Sequence, residues 1–250
     1  MEPSRWGIIY CPKDGVRHIH KEWEAIRSYL TEKGVLYDFV QSEGPKSVER
    51  LAGMLASNGY TTIVIVGGDA ALNRALNGVL SQGEEVRRNV AFGVIPNGWG
   101  NDFAHFWGFE EDNYKQTIDW LIKRRVRKVD VGYCVPERIG DAHPRFFLNC
   151  VNVGLVANIM NIKHKTRRFW GMLTLSHLSS MFLLLFQRME HKMHFKVNLD
   201  DIEKSVMTVC ISSARGYGQT PSGCFSRVAS GNQPDGGSFM DAFPRSLLES

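Results

Sequence analysis

Cysteine is scarce and unpatterned. Cys11, Cys134, Cys150, Cys210 and Cys224 are odd in number and widely spaced, with no C-x-x-C. That excludes a disulfide scaffold and gives no zinc or redox spacing, so free thiols in a reducing cytoplasm are expected. Long apolar runs are lacking too. Residues 1–5 are polar and the apolar run after them ends at Pro12, too short for a signal-peptide core. In the most apolar stretch, 169–186, Thr174, Ser176, His177, Ser179 and Ser180 interrupt the run, which argues against a membrane span. Charge of one sign is also missing: 30 Lys and Arg against 26 Asp and Glu leave +4. So small and spread an excess does not point to nucleic acid, though it suits an anionic substrate or a membrane surface. There is no G-x-x-x-x-G-K-[ST], and the eight histidines show no H-E-x-x-H. The first strand leads into Cys11-Pro12-Lys13-Asp14-Gly15 rather than G-x-G-x-x-G. A P-loop NTPase, a Rossmann dehydrogenase and a zincin are all disfavoured.

What is present is ordinary globular composition: 250 residues, 43% hydrophobic and 22% charged. That suits one large domain or two small ones. The first part alternates strand and helix patterns. Residues 6–10, 35–40, 61–66 and 90–95 read as strands, the third a β-branched run suited to burial on both faces. Residues 20–33, 45–58 and 70–80 place their apolar side chains on one helical face. This order predicts a doubly wound α/β domain with a parallel sheet over 1–128. The pattern then changes. Residues 129–135, 145–153, 193–199 and 206–212 read as strands, and Met193, Phe195, Val197 and Leu199 alternate with polar residues. A mostly antiparallel β-rich domain is expected over 129–250, interrupted by one apolar helix at about 170–187. The basic run Lys123, Arg124, Arg125, Arg127 and Lys128 sits at the expected boundary and reads first as a solvated helix end. Lys163, Lys165, Arg167 and Arg168 precede the apolar helix, as in a helix that touches anionic lipid or simply covers a core.

Two glycine-rich turns follow two of the buried strands: Gly67-Gly68-Asp69-Ala70-Ala71-Leu72-Asn73 and Asn97-Gly98-Trp99-Gly100-Asn101-Asp102. Each falls where a strand's carboxyl end opens toward a helix, the ligand-binding edge of open α/β sheets. Glycines let backbone N–H groups approach a phosphate, and an adjacent acid can hold Mg²⁺ or orient a hydroxyl. The pair therefore points to phosphoryl transfer; tight turns with capping aspartates are the plainer reading.

The two turns resemble the G-G-D-G-T and G-T-G-N-D motifs of the diacylglycerol kinase catalytic domain, a family that includes bacterial lipid kinases and sphingosine kinases. Cys11-Pro12-Lys13-Asp14-Gly15 is similar to the family's N-P-x-x-G. Leu72-Asn73 with Asn77-Gly78 is similar to its L-N-x-x-x-N-G, Val129-Asp130-Val131-Gly132 to its V-D-x-G, and Phe147-Leu148-Asn149 to its F-x-N. The resemblance implies an α/β nucleotide domain followed by a β-sandwich. It implies an ATP-dependent kinase that uses Mg²⁺ to phosphorylate a hydroxyl of diacylglycerol or a related lipid at a membrane surface. Asp69, Asp102 and Asp130 would form the catalytic carboxylate network. Lys13, Gly67, Gly68, Asn73, Gly98, Gly100 and Asn101 would line the nucleotide site, and Asp235 would hold a structural metal. The implied location is the cytoplasm, at the inner face of the membrane; a homodimer stays open. Departures are clear. Ala70 and Ala71 replace Gly and Thr, Arg74 replaces an acid, Trp99 replaces Thr and Cys11 replaces Asn. The family continues to a D-G-E segment absent here, so the second domain is expected to be incomplete. These departures favour the alternative, a non-catalytic relative that binds nucleotide or lipid. An NAD kinase-like enzyme fits the second half less well.

Overall fold

The computed structural model describes residues 5–12, 19–98, 101–123, 126, 128–135, 144–154, 157, 191–197 and 200–212. The expected apolar helix at 170–187 and its preceding basic cluster lie outside the described residues. The chain divides into two compact units, Met1–Asn149 and Cys150–Ser250.

In the first unit, strands and helices alternate as β1 (Trp6–Tyr10), α1 (Ile19–Glu32), β2 (Tyr37–Gln41), α2 (Pro45–Ser57), β3 (Thr62–Gly67), α3 (Asp69–Leu80), α4 (Glu84–Arg88) and β4 (Ala91–Pro96). Two further helices follow, α5 (Asp102–Phe106) and α6 (Tyr114–Ile122). The four strands pair in parallel in the order β2-β1-β3-β4. The chain's direction of travel reverses between β1 and β3, which opens a crevice at their carboxyl ends. Each face of the sheet has its own core, as period-two strands require. On one face Ile8 and Tyr10 of β1, and Val64 and Val66 of β3, pack with Trp23, Ile26 and Leu30 of α1 and Ile118 of α6. Tyr10 and Trp23 stack at 4.8 Å. On the other face Ile9, Ile63 and Ile65 pack with Val48, Leu51 and Leu55 of α2 and Leu72, Ala75 and Val79 of α3. The sheet is thus doubly wound, as the sequence predicts. Helices α2 and α3 approach closely because Gly78 has no side chain: a Cβ there would stand 2.0 Å from the Glu49 carbonyl oxygen.

A hairpin of β5 (Gly132–Cys134) and β6 (Arg145–Phe147) also belongs to this unit. Asn77, only 6% exposed, fastens it to α3. Its amide donates to the Phe146 carbonyl at 2.9 Å, and its carbonyl accepts the Phe146 N–H at 2.9 Å. Asn77 thus satisfies the strand-edge groups that a further strand would otherwise bond. Arg145 adds a contact to Glu49 of α2 at 3.0 Å.

In the second unit β7 (Cys150–Gly154) pairs antiparallel with β10 (Thr208–Ser212), and β8 (His191–Val197) with β9 (Asp200–Val206). Two sequence expectations change. The continuous strand expected over 145–153 is two strands, because Leu148 and Asn149 leave the ladder as the chain passes from one pairing partner to another. The strand β9 was not expected at all from its charged sequence.

Candidate active site

The crevice at the carboxyl ends of β1, β3 and β4 is lined by backbone. The Cys11 N–H donates to the Val66 carbonyl at 2.9 Å and the Asn97 N–H to Gly67 at 3.0 Å. The two glycine turns touch. A Cβ on Gly98 would lie 2.2 Å from the Gly68 Cα, and a Cβ on Gly68 would lie 2.8 Å from the Gly98 Cα. No side chain fits at either position, so both glycines are needed for this approach.

Asp69 ties the turns together. Its Oδ2 accepts the Asp102 N–H at 2.7 Å and its Oδ1 accepts the Phe103 N–H at 2.9 Å. A carboxylate in the first turn of α3 thus caps the start of α5, satisfying two N–H groups that a helix end leaves open. Asn101 closes the second turn from inside. It is 3% exposed and holds the left-handed conformation, φ 61°, that asparagine tolerates best after glycine. Its Oδ1 accepts the Gly98 N–H at 2.9 Å, and its Nδ2 donates to the Gly98 carbonyl and to Glu111, each at 3.1 Å.

Among the described residues, no hydrogen bond engages the carboxylate of Asp102, the other acid of the two turns. Burial pushes its pKa up, the neighbouring Asp69 charge pushes it the same way, and His105 opposes them. Desolvation and a like charge make this group a better base than a solvated aspartate, and a better place for a cation. The start of α3 is open as well. Gly68 is its N-cap, and no side chain caps it. Such a helix start, with glycine before it, offers N–H groups to an anion. One turn on, the Asn73 Oδ1 is buried with no hydrogen-bond partner among the described residues. Cys11 sits at the crevice floor, where burial raises its thiol pKa against the opposing effect of Ser42.

Of the eleven expected site residues, Gly67, Gly68, Asp69, Gly98, Asn101 and Asp102 form one contiguous constellation, with Asn73 on the same helix start. Asp130 is exposed on the segment leading to β5 and enters none of these contacts among the described residues. Lys13, Gly100 and the proposed metal residue Asp235 lie outside the described residues, as does Trp99. Sequence reading missed Glu111 and His105; it kept capping aspartates open as the plainer reading, but not that Asp69 caps the start of α5 rather than its own helix. Glu111 and Asn101 meet across ten residues without any local pattern, so only the fold reveals the pair.

A magnesium ion in a phosphoryl-transfer site takes one or two carboxylates and fills its shell with water and phosphate oxygens. The donor set fits that demand. Asp102 is available beside a second negative charge, and Asn73 offers an unpaired oxygen. Among the described residues no cluster of three or more His, Cys, Asp or Glu is arranged to hold a metal by protein groups alone.

The family model described as "Diacylglycerol kinase catalytic domain" matches residues 5–134. The chain belongs to this family, and by that membership it is a kinase. A protein of Staphylococcus epidermidis named "Putative lipid kinase SERP0390" is 24% identical over 230 residues, covering 88% of this chain and 69% of that protein. A "Probable lipid kinase YegS-like" protein of Chromohalobacter salexigens is 31% identical over 112 residues, covering 45% of this chain and 32% of the relative. A solved structure titled as a "putative diacylglycerol kinase" from Bacillus anthracis superposes with a TM-score of 0.62 at 20% identity, covering 88% of this chain and 68% of that one. That likeness shows the shared fold. The chain spans about two thirds of the length of the relatives it matches along most of its own length.

Proposed function

We propose that this chain is a lipid kinase that transfers the γ-phosphate of ATP to a hydroxyl of diacylglycerol or a related lipid. The observation that carries the reading is the bracketed pair of glycine turns, which leaves Asp102 free beside the open start of α3. In this reading the N–H groups at Gly68 and the first turn of α3 hold phosphate oxygens, Gly67, Gly98 and Asn101 keep the cradle narrow, and Gly100 is assigned to the nucleotide site by its place in the motif alone. Asp102 and Asn73 would hold Mg²⁺, which would supply neutralisation of the phosphate charge. The lipid hydroxyl attacks the γ-phosphorus and releases its proton to water as the new P–O bond forms and ADP leaves with the old bridging oxygen. Lys13 and Asp130 complete the set from the loop after β1 and the segment before β5. Asp235 serves a separate structural cation.

A lipid substrate places the protein in the cytoplasm at the inner face of the membrane. No helix among the described residues is long and apolar enough to cross a bilayer. The test is transfer of labelled γ-phosphate from ATP·Mg²⁺ into a mixed lipid extract, wild type beside Asp102→Ala. Label in lipid with the wild type alone supports the reading. Equal background label in both samples overturns it for this chain. The second reading, a non-catalytic nucleotide-binding relative, draws on Ala70 and Ala71, which supply no hydroxyl to a phosphate. ATP binding by the wild type without lipid labelling would select it.

A further inference from the structure

Helix α6 has an inward face that is fully used. Thr117 and Ile118 are buried, and Leu121 packs against the sheet core. Its outward end carries more apolar surface than the fold consumes. Trp120 is 39% exposed, Ile122 41%, Val126 65% and Val129 37%. On the preceding helix, α5, Phe106 is 51% exposed. The Trp120 ring leans on Phe109 at 5.6 Å, which holds the indole in place at the surface.

The same stretch is basic. Lys123, Arg124, Arg125, Arg127 and Lys128 are interleaved with the apolar residues, and no acid occurs between Trp120 and Val129. Lys123 and Lys128 are exposed. The acid just before, Asp119, is turned to α1, where it accepts the Tyr29 hydroxyl at 3.1 Å and pairs with Lys33 at 3.2 Å. Lys123 is the last and smallest influence on that carboxylate, so Asp119 offsets the run only weakly. With +4 over the whole chain, five cations within six positions form a strong local concentration of positive charge.

We infer that Trp120, Ile122, Lys123, Val126, Lys128 and Val129 form a docking surface for an anionic lipid bilayer. Trp120, Ile122 and Val126 enter the boundary between headgroups and acyl chains while Lys123 and Lys128 meet lipid phosphates. The pattern selects this occupant over two others. A nucleic acid would use the cations but leave Ile122, Val126 and Val129 in water. A second copy docking by the same face would set Lys123 and Lys128 against their own counterparts. The inference rests on the lipid reading of the active site, because a lipid substrate is presented at a bilayer. Both α5, which begins at Asp102, and α6 follow the second glycine turn, so the docking residues and the proposed site share one stretch of chain.

The test is co-sedimentation of the full chain, without ATP, with vesicles of phosphatidylcholine or of phosphatidylcholine mixed with phosphatidylglycerol. Wild type is compared with Lys123→Glu/Lys128→Glu and with Ile122→Ser/Val126→Ser. Each cation near an anionic surface strengthens partitioning about fivefold. The first pair should therefore weaken binding to the mixed vesicles at least about 25-fold, and added salt should weaken the wild type. The second pair should weaken it about tenfold at unchanged charge. Equal pelleting with neutral vesicles, or binding unchanged by both pairs, would overturn the inference. So would capture by an oligonucleotide, or self-association, in place of vesicle binding. Vesicle binding without phosphate transfer would sink only the kinase reading. Transfer to detergent-dispersed lipid without vesicle discrimination would sink only the docking surface.

Discussion

The carboxylate of Asp69 should hold the site together before it does any chemistry, and the size of that effect can be worked from its contacts. It accepts two N–H groups, from Asp102 at 2.7 Å and Phe103 at 2.9 Å. Hydrogen bonds to a charged acceptor contribute about 1.5–3 kcal/mol each. Asp69→Ala removes both and leaves two half-buried donors open. It also relieves the repulsion between Asp69 and Asp102, which returns about 1 kcal/mol. The expected net loss is about 2–5 kcal/mol, a large share of the roughly 5–15 kcal/mol that holds a domain folded. Asp69→Asn keeps one oxygen to accept and should lose about half as much. Urea unfolding gives the global value. Amide exchange at Asp102 and Phe103 gives the local one, and both amides should lose protection while the β3 amides keep theirs. Asp69→Ala that unfolds within about 0.5 kcal/mol of wild type, with both amides still protected, would refute the capping role. A purely catalytic Asp69 predicts that silent outcome.

Three further outcomes follow from the same geometry. Asp102 has a raised pKa, so the folded state disfavours its ionised form; Asp102→Asn should stabilise the protein at neutral pH while phosphate transfer is lost. That gain should vanish as pH falls below the unfolded aspartate value of about 3.9, and urea midpoints across pH that show a less stable variant at neutrality would contradict it. Asn77→Ala strands the Phe146 N–H and carbonyl and should cost about 2–4 kcal/mol in chemical unfolding, with Asn77→Asp recovering only the accepting half; an unchanged midpoint would sink the clamp. Gly98→Ala forces a methyl to 2.2 Å from the Gly68 Cα and should abolish nucleotide binding in a filter assay, whereas Gly83→Ala, with nothing within 4 Å of the new methyl, should leave it intact.

The alternation of strand and helix was legible because burial on two faces writes it twice. Strand β3 is fully buried, so its sequence is a continuous β-branched run, and the helices facing it repeat apolar residues at helical spacing. Helix α6 was not singled out, although Tyr114, Ile118 and Leu121 face the core at helical spacing, because Trp120 and Ile122 add apolar residues on its exposed side and blur the stripe. Strand β9 hides behind its charges. Asp201 stands opposite Lys196 and Glu203 opposite His194, so its identity as a strand comes from cross-strand pairing with β8 rather than from its own composition. The glycine turns could be read locally, since close approach demands glycine. The bond from Asp69 to residues 102 and 103 could not, because it spans more than thirty residues and an aspartate after two glycines looks the same whether it caps or coordinates.

The substitutions that set this chain apart from its family's pattern are not scattered. A Cβ built on Gly67 would meet the Ala71 Cβ and the Cys11 Cβ, each at 3.1 Å, so positions 11 and 71 flank a single point at the end of β3. Both residues pack against the same apolar cluster. Asparagine and threonine there would place an amide and a hydroxyl side by side; cysteine and alanine replace both with apolar contact. Changing one alone would leave a half-buried polar group without its neighbour, at about 1–3 kcal/mol; changing both leaves none. Alanine at 70 and 71 also favours the first turn of α3, which begins at Asp69. Arg74 follows the same logic of paired change: it lies 3.9 Å from Glu49, which also holds Arg145 of β6 at 3.0 Å, so the reversed charge joins an ion cluster on the far side of the helix from the crevice floor. The side-chain donors lost near the crevice are therefore matched by packing, and in the proposed reading phosphate binding would fall to backbone N–H groups at the start of α3.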